Sequence, residues 1–284
     1  MRGALRIGTS GWNYRHWRGL FYPDELRVRD WLPYYASAFD SVEVNTTFYG
    51  QPRESTVRAW VEATPPEFVF AVKMSRFLTH LKRLAPDDHS IDKFATLAGW
   101  FGARLGPVLV QLPPALAFEP ARVARFFARL PPHRYALEAR HPSWLSREAM
   151  ALLRAHGVAW CIADSSVFRT ADAVTAAFVY LRFHGPGKMC DSSYDDRQLG
   201  AWARRIARWR ARGLEVFAYF NNDVHGYAVD DALRLRARAG RAGVGTGRQA
   251  NAAGSGTDAA GLNARPGPAD TTGSRSRGRA LHQH

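Results

Sequence analysis

Phe178-Val-Tyr-Leu-Arg-Phe-His-Gly185 is the stretch from which the fold can be read. Successive side chains of an extended strand point to opposite faces, so Val179, Leu181 and Phe183 share one face and Tyr180, Arg182 and His184 the other. An apolar parity for helices to cover, backed by a parity ending in charge, fits a strand of a closed parallel barrel. Seven further runs repeat the design: Arg6–Trp12, Val42–Tyr49, Phe68–Ser75, Val108–Pro113, Tyr135–His141, Ala159–Ser165 and Glu215–Asp223. Most gaps between them contain a helix-like stretch. Eight β-α repeats predict an α/β protein, a (β/α)8 TIM-like barrel whose functional site lies at the C-terminal ends of its strands.

The same parity test sorts the other runs. Val42 and Val44 point outward and leave Glu43, Asn45, Thr47 and Tyr49 inward. Phe68, Phe70, Val72 and Met74 leave Lys73 and Ser75 inside; Val108, Val110 and Leu112 leave Gln111; Leu137 and Ala139 leave Glu138 and Arg140. Trp160, Ile162 and Asp164 share a parity, as do Tyr219, Asn221 and Asp223, and Asp164 is counted among the inward polar groups. Seven strands thus send a charged or amide group toward one axis. Desolvating that many is costly without compensation from one another or from a ligand, so the set is read as a functional site.

A barrel of this type needs about 250 residues, and residues 1–239 supply its domain. Every aromatic residue lies at or before Tyr227, and residues 240–284 are rich in Gly, Ala, Arg, Thr and Ser. That composition cannot bury enough apolar surface to order itself, so it is expected to be a disordered tail. The net charge is +14, but only four of the 39 basic residues are lysines, which points to a composition-wide arginine bias. In Leu199–Gly213, Leu199, Trp202, Ile206 and Trp209 recur at helical spacing with arginines opposite, as in an outer helix with a solvated basic face. Two cysteines, Cys161 and Cys190, make no disulfide framework or C-x-x-C metal motif. No signal-peptide core or membrane-spanning run is apparent, and the expected location is the cytoplasm. Oligomeric state is not legible.

Gly8-Thr-Ser-Gly-Trp-Asn-Tyr-Arg-His-Trp-Arg-Gly-Leu-Phe-Tyr-Pro23 resembles the opening of the YecE-like proteins, a domain-of-unknown-function family with a TIM-barrel fold. Further matching motifs are Val42–Tyr49, Phe70–His80, Gln111-Leu-Pro-Pro114, Leu137–Trp144, Tyr180–Gly185, Tyr219–Asp223 and Gly226-Tyr-Ala228. The resemblance spans residues 5–236. It implies the fold and a pocket at the strand ends, without an established reaction.

Glu43 and Glu138 are the candidate acid/base pair, provided their surroundings separate their pKa values, with His184 as proton shuttle. Lys73 is a candidate Schiff-base nucleophile or base, although an ion pair with Glu43 or another carboxylate is the preferred reading. Lys73, Arg140 and Arg182 would hold negative charge, since arginine's planar fork fits carboxylate and phosphate. Gln111, Asp164, Asn221 and Asp223 would orient the ligand. Trp12, Tyr14, Trp17, Phe48, Tyr49 and Trp144, with Asn45 among them, would stack a planar ring. The expected protein is an enzyme acting on a small polar or anionic ligand without an obligatory cofactor. Its first rival is a phosphodiesterase, nuclease or sugar isomerase using a divalent metal such as manganese or zinc, held by Glu43, Glu138, Asp164, His184, Asp223 and His225. Its second is a binding protein for nucleic acid or a phosphorylated metabolite that performs no chemistry. Gly185–Asp196 is a candidate lid.

Overall fold

A computed structural model describes residues 1–168 and 170–241; the expected tail from residue 242 onward lies outside the described residues. Eight strands, β1 (Leu5–Thr9), β2 (Ser41–Val44), β3 (Val69–Lys73), β4 (Leu105–Gln111), β5 (Tyr135–Glu138), β6 (Ala159–Asp164), β7 (Phe178–Phe183) and β8 (Glu215–Phe220), form one parallel sheet in which β1 pairs with β8 and each later strand with its predecessor as far back as β2. A single parallel bridge between Ser10 and Glu43 closes β1 onto β2. The result is a TIM-like barrel.

The helices are α1 (Trp31–Ala38), the single turn α2 (Thr46–Tyr49), α3 (Glu54–Glu62), α4 (Asp88–Gly99), α5 (Pro120–Arg129), α6 (Arg147–Ala155), α7 (Asp196–Ala211) and α8 (Tyr227–Arg241). Their starts are written into the sequence. Asp195 caps α7 through Gln198 N–H while the Gln198 side chain returns to Asp195 N–H, a reciprocal capping box. Asp87 and Ser146 cap α4 and α6, and Pro120 opens α5 where a missing N–H costs nothing. The basic stretch forms α7 and buries Leu199, Trp202, Ile206 and Trp209.

The connection from β6 to β7 is the exception, since its described residues hold no helix. Threonine hydroxyls lace it along β6 instead. Thr175 Oγ1 accepts from Trp160 N–H at 2.6 Å and donates to the Val158 carbonyl at 2.7 Å; Thr170 donates to the Ala163 carbonyl at 2.9 Å. The Trp160 indole donates to the Ala171 carbonyl at 3.0 Å.

Apolar packing divides as the strand pleat requires. Outward side chains such as Val42, Val44, Val72, Val110, Leu137, Ile162, Leu181 and Phe183 belong to the layer shared with the helices. Ala71, Leu109, Ala136, Ala159, Cys161, Phe178, Tyr180, Phe217 and Tyr219 form a separate cluster inside the barrel. Above that plug, the inward positions turn polar. No described helix is long and apolar enough to cross a membrane.

Candidate functional site

Arg182 on β7 is the hub of the barrel mouth. Its Nε donates to Glu43 Oε2 at 3.0 Å and its Nη2 to Glu43 Oε1 at 2.8 Å, while Nη1 reaches Glu138 Oε2 at 2.7 Å. Both carboxylates are 0% exposed. Glu43 also accepts from Ser10 Oγ at 2.6 Å and Tyr180 hydroxyl at 2.7 Å. Glu138 accepts from Gln111 Nε2 at 2.7 Å and Arg140 Nη2 at 3.3 Å, with Cys161 Sγ at 3.9 Å. The register dictates this meeting: Ser10 is bridged to Glu43, Gln111 is paired with Glu138, and Arg182 stands beside Ala163 and Tyr219.

Burial pushes the two carboxylates up, but the Arg182 guanidinium more than offsets it. Glu43 is held below the usual carboxylate range and Glu138 well below it, with His184 and Arg140 adding to the latter. An acid/base role for the pair requires surroundings that separate their pKa values. Both shift in the same direction, toward permanent ionisation. Burial pushes His184 down despite Glu138, whose Oε2 faces its Nε2 at 3.5 Å. Asn221 Nδ2 lies 3.2 Å from His184 Nδ1. Accepting there leaves the imidazole proton on the Glu138 side.

Lys73 differs from the expected ion pair. Its Nζ lies 4.0 Å from the Phe48 ring centroid and makes no salt bridge or hydrogen bond among the described residues. The reason is visible at the carboxylates, whose oxygens are already engaged by Arg182 and its neighbours. Burial, then the Arg182 charge, lower the Lys73 amine to about 8, against the opposing pull of Glu43 and Glu138 and with a further push from Arg140. Lys73 is 8% exposed. The Arg140 guanidinium lies 4.7 Å from the Phe168 ring centroid, and its Nε is buried without a hydrogen-bond partner among the described residues. His80, against Phe48 at 5.0 Å, is lowered by burial and then by Lys73.

Other expected site residues are placed elsewhere. Asp164 points outward and accepts from the Trp202 indole of α7 at 2.7 Å. Small Cys161 takes the inward position of β6 against Glu138 because the bulkier Trp160 and Ile162 fill the helix-facing layer. Asp223 accepts from Trp17 Nε1 at 2.9 Å and meets His16 at 3.0 Å, tying the β1 and β8 connections together. Trp17 and Trp144 are wholly buried, and Trp144 donates to the Leu116 carbonyl at 2.9 Å; these two pack rather than face a ligand. Trp12 meets Trp60 edge-on at 5.1 Å. With Tyr14, Asn45 and Trp60 it lines a cavity of about 290 Å³; Asn45 Oδ1 is buried without a hydrogen-bond partner among the described residues. Tyr49, 74% exposed, stands on the rim.

The ligand set considered for a metal is dispersed. Glu43 and Glu138 hold Arg182, Asp164 holds Trp202, Asp223 holds Trp17, and His225 pairs with Asp191 at 2.8 Å. No group of three or more His, Cys, Asp or Glu suited to a metal ion occurs among the described residues. The candidate lid is pinned: Cys190 N–H donates to His184 carbonyl, Asn222 to Ser192 carbonyl, and Val224 N–H to Cys190 carbonyl. Buried Asp231 of α8 accepts from Ser193, Tyr194 N–H and Asn222. Ser10 and Tyr180 are partners of Glu43 that the sequence reading left out of the site, although Tyr180 shares the inward parity of Arg182.

Comparison with known proteins agrees with this architecture. The chain is 26% identical over 268 residues to the UPF0759 protein YunF of Bacillus subtilis, a match covering 81% of this chain and 93% of that protein. It is 28% identical over 235 residues to the UPF0759 protein YecE of Escherichia coli O157:H7, covering 72% and 82% respectively. The crystal structure of a DUF72 family protein from Thermotoga maritima superposes with a TM-score of 0.76 at 27% identity, covering 82% of this chain and 98% of that one. A family model described as "Protein of unknown function DUF72" matches residues 6–254, and the chain therefore belongs to the DUF72 family.

Proposed function

We propose that the barrel mouth binds a small anionic carbonyl compound and acts on it through the Lys73 amine. The observation that carries this reading is a pair of cationic groups with donors left over. Lys73 has neither ion pair nor hydrogen bond among the described residues, and Arg140 keeps a buried, unpartnered Nε. An anionic ligand would supply the missing acceptor, and a guanidinium is suited to carboxylate or phosphate. A lysine lowered to about 8 is partly neutral near physiological pH, the state in which an amine attacks a carbonyl. Attack forms the N–C bond; loss of the carbonyl oxygen as water leaves the imine. Glu43 and Glu138 position Arg182 and keep the site's field fixed, while His184, its Nδ1 facing the Asn221 amide, is the proton carrier of this scheme. Arg140, Gln111 and Asn221 complete the ligand contacts in this scheme.

Incubation with 2-oxo acids, aldehyde phosphates and neutral aldehydes, followed by cyanoborohydride reduction and peptide mapping, tests it. Reductive trapping at Lys73 by anionic carbonyls in preference to neutral ones is expected. Binding of the anions without any trapping would favour a non-catalytic phosphometabolite-binding protein and remove Lys73 from the chemistry.

A further inference from the structure

A cavity of about 370 Å³ lies beside the mouth, between the turns that follow β2 and β3 and the helix α4. Helical spacing puts His89, Ser90, Lys93, Phe94 and Leu97 three or four residues apart along one side of α4, and all five line the cavity. Their order matters. The polar members come first along the helix and the apolar ones after, so this wall grades from polar to apolar along its length. On the other walls Phe77 and Leu78 add apolar surface, and Gln51 and Ser75 add an amide and a hydroxyl. Leu78, Phe94 and Leu97 are buried. Ser90 spends its hydroxyl and backbone N–H on Asp87 at 2.6 and 2.8 Å, and the lining Thr47 spends its hydroxyl on the Lys73 and Val44 carbonyls. Gln51, His89 and Lys93 make no side-chain hydrogen bond or ion pair among the described residues, and no carboxylate lines the cavity.

We propose that this cavity binds an aliphatic monocarboxylate, with its chain against Leu78, Phe94 and Leu97 and its head group at Lys93. Gln51 and His89 supply further hydrogen bonds to the head group. An ion pair with an exposed lysine contributes little by itself, so the affinity comes from burying the chain, at about four-fold per methylene. The lysine decides the kind of head group. No arginine lines the cavity, so the planar fork that suits phosphate is missing, and a single compact negative charge is the better match. The volume sits at the low end of the range for small-molecule sites, roughly 300–1,000 Å³, which sets the chain at medium length. Glu43, Lys73, Gln111, Glu138, Arg182 and His184 do not line the cavity. It is therefore a second site, independent of the Lys73 chemistry.

The test is titration calorimetry of the full chain with butanoate, hexanoate and octanoate, followed by photolabelling with an aliphatic diazirine carboxylate and peptide mass mapping. Affinity is expected to rise by roughly four-fold for each added methylene. Label is expected on residues 75–97, suppressed by octanoate. Lys93→Met, at an exposed position, is expected to weaken octanoate by about two- to five-fold while leaving octanol binding unchanged. The mapping needs no variant, so it reads the site in the wild-type chain. Reductive trapping at Lys73 by 2-oxo acids is expected to be the same in Lys93→Met as in wild type, which keeps the two sites distinguishable. Absence of carboxylate binding, an affinity indifferent to chain length, or label mapping away from residues 75–97 would each overturn the inference. Displacement of the photolabel by inorganic phosphate as effectively as by octanoate would overturn it too, since the chain would then contribute nothing.

Discussion

At the scale of single residues, Arg182 and Lys73 are opposite answers to the same problem of burying charge. Arg182 is wholly buried and satisfied by two carboxylates; a buried ion pair of this kind is costly to break because the survivors stay charged and dry. Arg182→Met is expected to cost about 3–5 kcal/mol, measured as a fall in the denaturant midpoint, and a loss below about 1 kcal/mol would refute the hub role. Lys73 has the reverse effect. Its amine falls from an ordinary 10.5 to about 8, so between those values the unfolded chain holds a proton that the folded chain does not. Stability should rise with pH through that window, and below it the full penalty, roughly 3 kcal/mol, is present. Lys73→Met should be more stable than wild type at neutral pH and lack the rise between pH 8 and 10.5; an unchanged slope would contradict this. Glu43 and Glu138, depressed in the fold, contribute stability above the ordinary glutamate range that is lost as pH falls below it. Parity placed Glu43, Lys73, Gln111, Glu138, Arg182 and His184 inside from sequence alone. Which carboxylate meets which cation was not legible, because it depends on stagger between strands far apart in sequence.

At the scale of elements, the seam between β1 and β2 is where the barrel is most exposed to damage. One bridge joins the two strands, and the Tyr35 hydroxyl of α1 spans the gap, accepting from Thr9 N–H at 2.9 Å and donating to the Ser41 carbonyl at 3.2 Å. A Cβ on Gly8 would collide with the Ser41 carbonyl and crowd the Tyr35 hydroxyl. Tyr35→Phe is expected to cost about 1–3 kcal/mol by stranding these groups, and Gly8→Ala about 1–3 kcal/mol by forcing the strands apart. Wild-type thermal midpoints in both variants would show that the seam is held by something else. Strand positions were legible because alternation survives in most runs. It failed at β6, where Ala159, Cys161 and Ala163 oppose Trp160 and Ile162 and both parities are apolar or small. Bulk decided that strand: the large side chains went to the roomy helix-facing layer and turned Asp164 with them. The loop after β6 gave no sign that Thr170 and Thr175 would substitute for helix packing.

At the scale of the whole molecule, the candidate site draws on strands from β2 to β8 and on the turn after β1, so it exists only when the barrel closes. The buried apolar set runs from Ile7 to Ala239. A chain ending at Arg241 should therefore fold with an unchanged thermal midpoint, as followed by circular dichroism; its failure to fold would extend the domain into residues beyond α8. The barrel's central consequence is a buried amine that loses its proton more readily than an ordinary lysine. The direct measurement is competitive labelling of Lys73 against pH, with the other three lysines as internal references. Half-maximal reactivity near pH 8 for Lys73 and protection by anionic carbonyl compounds are expected. A Lys73 that titrates with the other lysines, or is indifferent to anions, would contradict it.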